Sequence, residues 1–87
     1  MERTNRFIRI ISKDPHARLY CPAAFISMKV TSGQVYQATF TDQEVANLVG
    51  TSLYEEAVPG SFSTYFALVH SNSRLGSGGY EWKQETA

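Results

Sequence analysis

Residues 24–48 read AFISMKVTSGQVYQATFTDQEVANL, and two strands, a tight turn and a capped helix are predicted from this one segment. Apolar and polar side chains alternate over residues 24–30 and again over residues 35–40, which is the period of a strand with one buried face. Between them, residues 31–33 (Thr-Ser-Gly) fit a type I turn followed by a glycine in the left-handed region. This loop predicts an antiparallel hairpin whose register puts the apolar side chains on one face. The predicted cross-strand pairs are Val30 with Gln34, Met28 with Tyr36, Ile26 with Ala38, and Ala24 with Phe40.

A helix is predicted directly after the second strand. Residues 41–44 (Thr-Asp-Gln-Glu) have the spacing of a capping box, in which the Thr41 hydroxyl accepts from the Glu44 amide and the Glu44 carboxylate accepts from the Thr41 amide. The helix is predicted to end at Gly50. Its apolar side comprises Val45, Leu48 and Val49. A helix of about nine residues is unstable by itself, so it is expected to pack on the sheet.

The remaining segments complete the predicted order of elements. Residues 6–12, 62–71 and 80–83 are rich in β-branched and aromatic residues and are predicted strands. The strand over residues 6–12 is predicted to lie inside the sheet, because both of its faces are largely apolar. Arg6 and Arg9 are predicted to lie on opposite faces of this strand. Residues 13–22 are predicted to be a connection, residues 53–58 a further helical turn, and the glycine-rich residues 71–79 a hairpin connection.

The predicted fold is α+β. The order β-β-β-α-β-β with short connections predicts an antiparallel sheet of about five strands with the one short helix packed on one face. A small closed barrel of the SH3-like or oligonucleotide-binding (OB-like) type is the alternative. The chain of 87 residues is expected to form one domain over residues 1–87, because this length supports a single hydrophobic core.

Composition limits the classes of function. No apolar run approaches the roughly 20 residues of a membrane span, and the first residues lack a secretion signal, so a cytoplasmic location is expected. Cys21 is the only cysteine, which excludes an internal disulfide. With the two histidines it supplies at most three ligands of unrelated spacing, so neither a metal nor another cofactor is expected.

Charge is unevenly distributed along a chain whose net charge is zero. Residues 1–29 contain six basic and two acidic residues, whereas residues 30–87 contain two basic and six acidic residues. Either the folded surface carries two opposed patches, or folding brings the two halves together and the charges interleave.

No catalytic motif stands out, so the chain is predicted to be a non-enzymatic protein-binding module. Its size and lack of chemistry suggest a small accessory or inhibitor protein of a phage or mobile element that binds a host protein complex. Aromatic residues often anchor protein interfaces. The residues predicted to bind a partner are Tyr54, Tyr65, Tyr80 and Trp82, together with Glu55 and Glu56. The terminal strand, which carries two of these aromatic residues, is also a predicted site of homodimer formation by edge pairing.

Two alternatives remain open at this level. The first is a nucleic-acid-binding domain, although the neutral net charge counts against it. The basic residues predicted for it are Arg3, Arg6, Arg9, Lys13 and Arg18. The second and weaker alternative is a small cysteine-dependent enzyme, in which a histidine, His16 or His70, would lower the pKa of the Cys21 thiol.

Overall fold

A computed structural model of the chain describes residues 2–68 and 80–85, in which five strands form a main sheet and two form a separate hairpin. The elements are β1 (Thr4–Ile10), β2 (Arg18–Cys21), β3 (Ile26–Lys29), β4 (Val35–Phe40), α1 (Asp42–Gly50), β5 (Tyr54–Ala57), β6 (Thr64–Leu68) and β7 (Tyr80–Gln84). The main sheet has the order β5-β1-β4-β6-β7, and β2 pairs with β3. Within these residues no helix has the length and apolar character needed to cross a membrane.

β1 lies inside the main sheet, as predicted, and pairs antiparallel with both β4 and β5. Its two faces differ. Ile8 and Ile10 are fully buried on the inner face, where they meet Tyr36 of β4. Phe7 and Arg9 lie on the outer face and are half-buried. The inner face of the main sheet is therefore the core side.

Helix α1 and the β2–β3 hairpin cover this inner face. Val45 of α1 and Leu19 and Cys21 of β2 belong to the same buried cluster as Phe40 of the sheet. Leu48 packs against this cluster, but Val49 is 41% exposed and does not belong to the apolar side on which it was predicted. The core thus lies between the main sheet on one side and a layer made of one helix and one hairpin on the other.

The predicted hairpin between residues 24–30 and 35–40 is wrong. β3 pairs with β2, not with β4, so Met28 lies opposite Leu19 and not opposite Tyr36. Residues 13–22, predicted to be a connection, contain β2. β4 pairs with β1 over six residues because the buried isoleucines of β1 give it a longer apolar partner than β3 offers.

The left-handed glycine predicted before β4 is present, but the turn is not the predicted type I turn, because Gly33 is the third residue of a turn over residues 31–34, where a positive φ is typical of type II. Gly33 has a φ of +85°, and the Gln34 amide donates to the Thr31 carbonyl. The turn is attached to β1, since the Gly33 amide donates to the Ile10 carbonyl at 2.7 Å and the Ile10 amide donates to the Gln34 carbonyl at 3.0 Å. The left-handed glycine was predictable from the local sequence, whereas the type of turn and the strand beside it were not.

The main sheet is mixed, and this corrects two further predictions. β4 and β6 are parallel, so the sheet is not wholly antiparallel. β5 and β7 lie at opposite edges of the sheet, so the sheet is not closed into the alternative barrel. Residues 53–58, predicted to be a helical turn, contain β5. The coarser α+β prediction agrees with the described chain, which is mostly sheet with one short helix.

Helix α1 begins as predicted. The Thr41 hydroxyl accepts from the Glu44 amide at 3.1 Å, and the Glu44 carboxylate accepts from the Thr41 amide at 3.0 Å. Gly50 is the last helical residue, and the Thr51 amide donates to the carbonyl of Leu48. The capping box therefore fixes the point at which the chain leaves β4 and α1 begins.

Candidate functional site

The arginines of the N-terminal segment bind carboxylates from distant parts of the chain. The Arg6 guanidinium lies 2.6 Å from Glu56 and 2.7 Å from Asp42, and these hydrogen bonds raise its pKa above the ordinary arginine value. Arg3 makes two hydrogen bonds to Glu44, at 2.6 and 3.0 Å. The Arg3 guanidinium in turn lowers the pKa of the Glu44 carboxyl below its ordinary value.

Arg9 continues this pattern on the outer face. Its guanidinium lies 2.9 Å from the Glu55 carboxylate and donates to Ser61. Carboxylates from residues 30–87, the acidic part of the chain, therefore neutralise Arg3, Arg6 and Arg9. At these positions the opposite charges of the two parts of the chain interleave. Three of the five residues predicted for nucleic-acid binding are held in ion pairs, and so are both glutamates predicted to bind a partner.

Cys21 is positioned as a core residue. Its side chain is fully buried in the cluster between the sheet and the hairpin, and burial raises the pKa of its thiol. A nucleophilic cysteine needs exposure and a lowered pKa. His16 lies in the exposed turn before β2, and His70 lies outside the described residues. Within the described chain no group of three or more His, Cys, Asp or Glu residues is arranged to hold a metal ion.

The aromatic residues predicted to bind a partner are spread over the molecule. Tyr54 is half-buried on β5, and its hydroxyl donates to the Arg18 carbonyl. Trp82 is 51% exposed on β7, at the opposite edge of the sheet, and stacks on Phe66. Tyr80 belongs to the same strand, and its side chain lies outside the described part of the structure. Tyr54 and Trp82 therefore do not belong to one surface.

Tyr65 lies on the outer face of the sheet, in a cluster of three aromatic rings. Its ring centroid is 5.1 Å from that of Phe7 and 5.7 Å from that of Phe62, in both cases edge to face. The Phe7 and Phe62 centroids are 5.0 Å apart. All three side chains are half-buried. The rings therefore gain much of their packing from one another.

The tip of the β2–β3 hairpin carries the most exposed aromatic side chain among the described residues, and sequence reasoning missed it. Phe25 is 84% exposed and was predicted to lie within a strand. In the structure it is the last residue of a four-residue loop, with a φ of +55°. The loop is closed by the Ala24 amide, which donates to the Cys21 carbonyl, and by the Phe25 amide, which donates to the Pro22 carbonyl. The alternation of residues 18–21 before Pro22 was the available signal for this hairpin.

The outward side of the hairpin adds a second aromatic residue and two cations. Tyr20 is 50% exposed and pairs with Ser27, while Arg18 pairs with Lys29. The Arg18 guanidinium donates to the Ser27 carbonyl at 2.5 Å and to its hydroxyl at 3.1 Å. We call the outward residues Arg18, Tyr20, Ser27 and Lys29, together with Phe25 at the tip, the hairpin surface.

An apolar groove of about 290 Å³ lies beside the hairpin surface, between β2 and helix α1. Its lining residues are Tyr20, Pro22, Phe40, Glu44, Asn47, Leu48 and Thr51. A larger and more open depression of about 470 Å³ lies beside Trp82, but its other lining residues are polar or charged: Gln34, Thr64, Lys83 and Gln84. Both cavities adjoin a half-exposed aromatic side chain, but of the two only the first has a mainly apolar wall, so the groove and the hairpin surface together are the candidate site.

No protein-family model, no curated protein and no solved structure matches this chain. A proposal about function therefore depends on the geometry described above.

Proposed function

We propose that this chain is a non-enzymatic protein-binding module that contacts its partner through the hairpin surface. The observation that carries the proposal is Phe25, a bulky apolar residue that is 84% exposed and has a φ of +55°. In the free protein both the exposure of the ring and the left-handed backbone conformation are unfavourable for a phenylalanine. Its presence is explained if the ring is buried in a complex.

Both the backbone and the side chain of Phe25 are energetically unfavourable in the free protein. The left-handed conformation costs an L-residue about 1–2 kcal/mol, and the position is normally filled by glycine or asparagine. The exposed ring recovers little of this cost, because burial of apolar surface is what stabilises a phenylalanine. Strained, exposed residues of this kind cluster at ligand-binding sites, and aromatic side chains are frequent anchors of protein interfaces.

Two narrower expectations from the sequence stay predictions. One is a role as a small accessory or inhibitor protein of a phage or mobile element, and the other is a homodimer formed through β7. β7 is at an edge of the described main sheet and carries the half-exposed Trp82, which supports edge pairing. Light scattering at high protein concentration tests the homodimer, and a monomeric mass there contradicts it.

The nucleic-acid alternative has less support than protein binding. Arg3, Arg6 and Arg9 are occupied by carboxylates, which leaves Lys13 and Arg18 of the predicted set. Non-specific nucleic-acid binders commonly make about 6–10 phosphate contacts. Two cations on a neutral chain give a much weaker attraction.

Affinity capture with three forms of the chain tests the proposal. The wild type, Phe25→Asn and Ser52→Asn are used as tagged baits in a lysate of the source organism, and captured proteins are quantified by mass spectrometry. Ser52 is the matched control, since it is also exposed and has a φ of +65° but lies after helix α1. The expected result is a set of proteins retained by the wild type and Ser52→Asn and depleted roughly tenfold with Phe25→Asn. Equal capture by all three baits, or none above background, contradicts the proposal.

A further inference from the structure

We infer that the partner segment recognised by the hairpin surface is an acidic peptide that carries an apolar anchor side chain. Its carboxylates would contact Arg18 and Lys29, and its anchor would enter the groove beside Tyr20. This inference rests on the proposed protein-binding function and specifies the chemistry of the partner.

After folding, two positive charges on the hairpin surface stay unpaired within the described part of the chain. The four carboxylates of residues 42–56 are bound by the arginines of residues 3–9. Arg18 and Lys29 have no ion-pair partner among the described residues, although they lie opposite each other on adjacent strands. The chain as a whole is neutral, but the hairpin surface itself is positively charged and carries no described carboxylate.

The Arg18 side chain is oriented for binding a carboxylate. Hydrogen bonds from its Nε and one terminal nitrogen to Ser27 hold the guanidinium against the outward side of the hairpin, where Tyr20 also lies. A guanidinium has five N–H donors, so donors remain for a carboxylate. Because the side chain is already held in place, binding loses less rotamer freedom than it would for a mobile arginine.

The groove beside Tyr20 has the size and the wall needed for an apolar anchor side chain. Its volume of about 290 Å³ is at the lower end of the range for ligand pockets and suits one or two apolar side chains. Glu44 lies in its wall, but Arg3 makes two hydrogen bonds to this carboxylate and compensates its charge. The groove therefore accepts an apolar side chain without placing an uncompensated negative charge beside an acidic peptide.

A peptide is favoured over a nucleic acid for this surface. Arg18 and Lys29 are only two cations, which is far fewer than the phosphate contacts of a typical nucleic-acid binder. An apolar groove next to exposed aromatic side chains matches the anchor-and-pocket arrangement of protein interfaces. Binding of an oligonucleotide is an outcome that the experiment below detects.

Amide NMR spectra of ¹⁵N-labelled protein, titrated to millimolar concentrations of defined probes, test the inference. The probes are three synthetic peptide pools of equal length and equal leucine and alanine content, whose polar residue is glutamate, glutamine or lysine, and an oligothymidylate. The glutamate pool is expected to shift the amides of residues 18–29 and 47–51 and to bind roughly threefold to tenfold more tightly than the glutamine pool. The lysine pool and the oligothymidylate are expected to leave these amides unchanged.

Variants separate the contribution of charge from that of the groove. Lys29→Gln is expected to reduce the preference for the glutamate pool, and Arg18→Gln combined with Lys29→Gln to abolish it, while binding of the glutamine pool is unchanged. Lys13→Gln removes one positive charge from the connection before β2 and is the control for net charge.

Each other outcome overturns the inference in a distinct way. Equal binding of the glutamate and glutamine pools overturns the acidic partner but leaves a protein-binding surface. Shifts of the hairpin amides by oligothymidylate alone overturn it in favour of nucleic acid. If no probe shifts these amides, the acidic peptide is rejected, and the affinity capture with Phe25→Asn decides the proposed function independently.

Discussion

Substitution of Phe25 by asparagine is expected to raise the free energy of unfolding, although it removes a large apolar side chain. Phe25 has a φ of +55°, a conformation that costs most L-residues about 1–2 kcal/mol. Asparagine adopts it more readily because its short polar side chain bonds to the local backbone. The substitution should therefore recover about 1 kcal/mol of backbone strain.

The loss of burial is smaller than this gain. Phe25 is 84% exposed, so about one-sixth of its surface is covered in the folded chain. Full burial of a phenylalanine contributes about 1.5–3 kcal/mol, and one-sixth of that is about 0.2–0.5 kcal/mol. The expected net gain is about 0.5 kcal/mol, which raises the Tm of a domain this size by about 2–4 °C.

Thermal and urea unfolding followed by circular dichroism measure the effect. Ser52→Asn, which changes the other non-glycine residue with a left-handed φ in the described part of the chain, should be stabilising to a similar degree. Ile8→Val, at a fully buried residue, should lower the free energy of unfolding by about 1 kcal/mol and shows that the assay resolves such differences. A loss of 1 kcal/mol or more in Phe25→Asn would mean that the ring packs in the free protein, and the argument for a binding role would fail.

Three further predictions concern residues whose contacts are defined. Thr41→Ala removes the hydroxyl that accepts from the Glu44 amide and should lower the free energy of unfolding by about 1 kcal/mol in urea titrations, whereas Thr41→Ser should change it little. Since Arg3 lowers the pKa of Glu44 in the folded state, this carboxylate stabilises the fold above its unfolded pKa, and that contribution is lost as the pH falls through the folded pKa. Acid unfolding of Arg3→Gln should therefore show a shallower fall below about pH 4.5 than the wild type, and identical slopes would contradict the ion pair. Cys21, whose thiol is buried and has a raised pKa, should react with a thiol reagent at neutral pH many times more slowly in buffer than in guanidinium chloride, and fast reaction in buffer would show that the hairpin opens readily.

Features decided by adjacent residues could be predicted from the sequence. The capping box at Thr41 requires only residues 41–44, and the left-handed Gly33 requires only its own turn. Strand partners depend on residues far apart in the chain. The alternation of residues 35–40 suits pairing with either β1 or β3. The pairing with β1 forms because it buries Ile8 and Ile10.

The candidate site was harder to predict than the fold for the same reason. Glu55 and Glu56 look like a solvated turn until Arg9 and Arg6, 46 and 50 residues away, are placed beside them. The exposure of Phe25 depends on the β2–β3 register, which puts it in the loop and not in a strand. A period of two assigned it to a strand, although the alternation of residues 18–21 before Pro22 was an available signal for the hairpin.

The position of β1 has a consequence for synthesis of the protein. β1 precedes both of its hydrogen-bonding neighbours in the chain, residues 35–40 and 54–57, and is therefore synthesised before them. The nascent chain must therefore carry this apolar strand unpaired until those two segments have also left the exit tunnel. Folding is expected to be late, cooperative and slow for a protein of this size, because distant segments must meet before any part of the sheet is closed around its first strand.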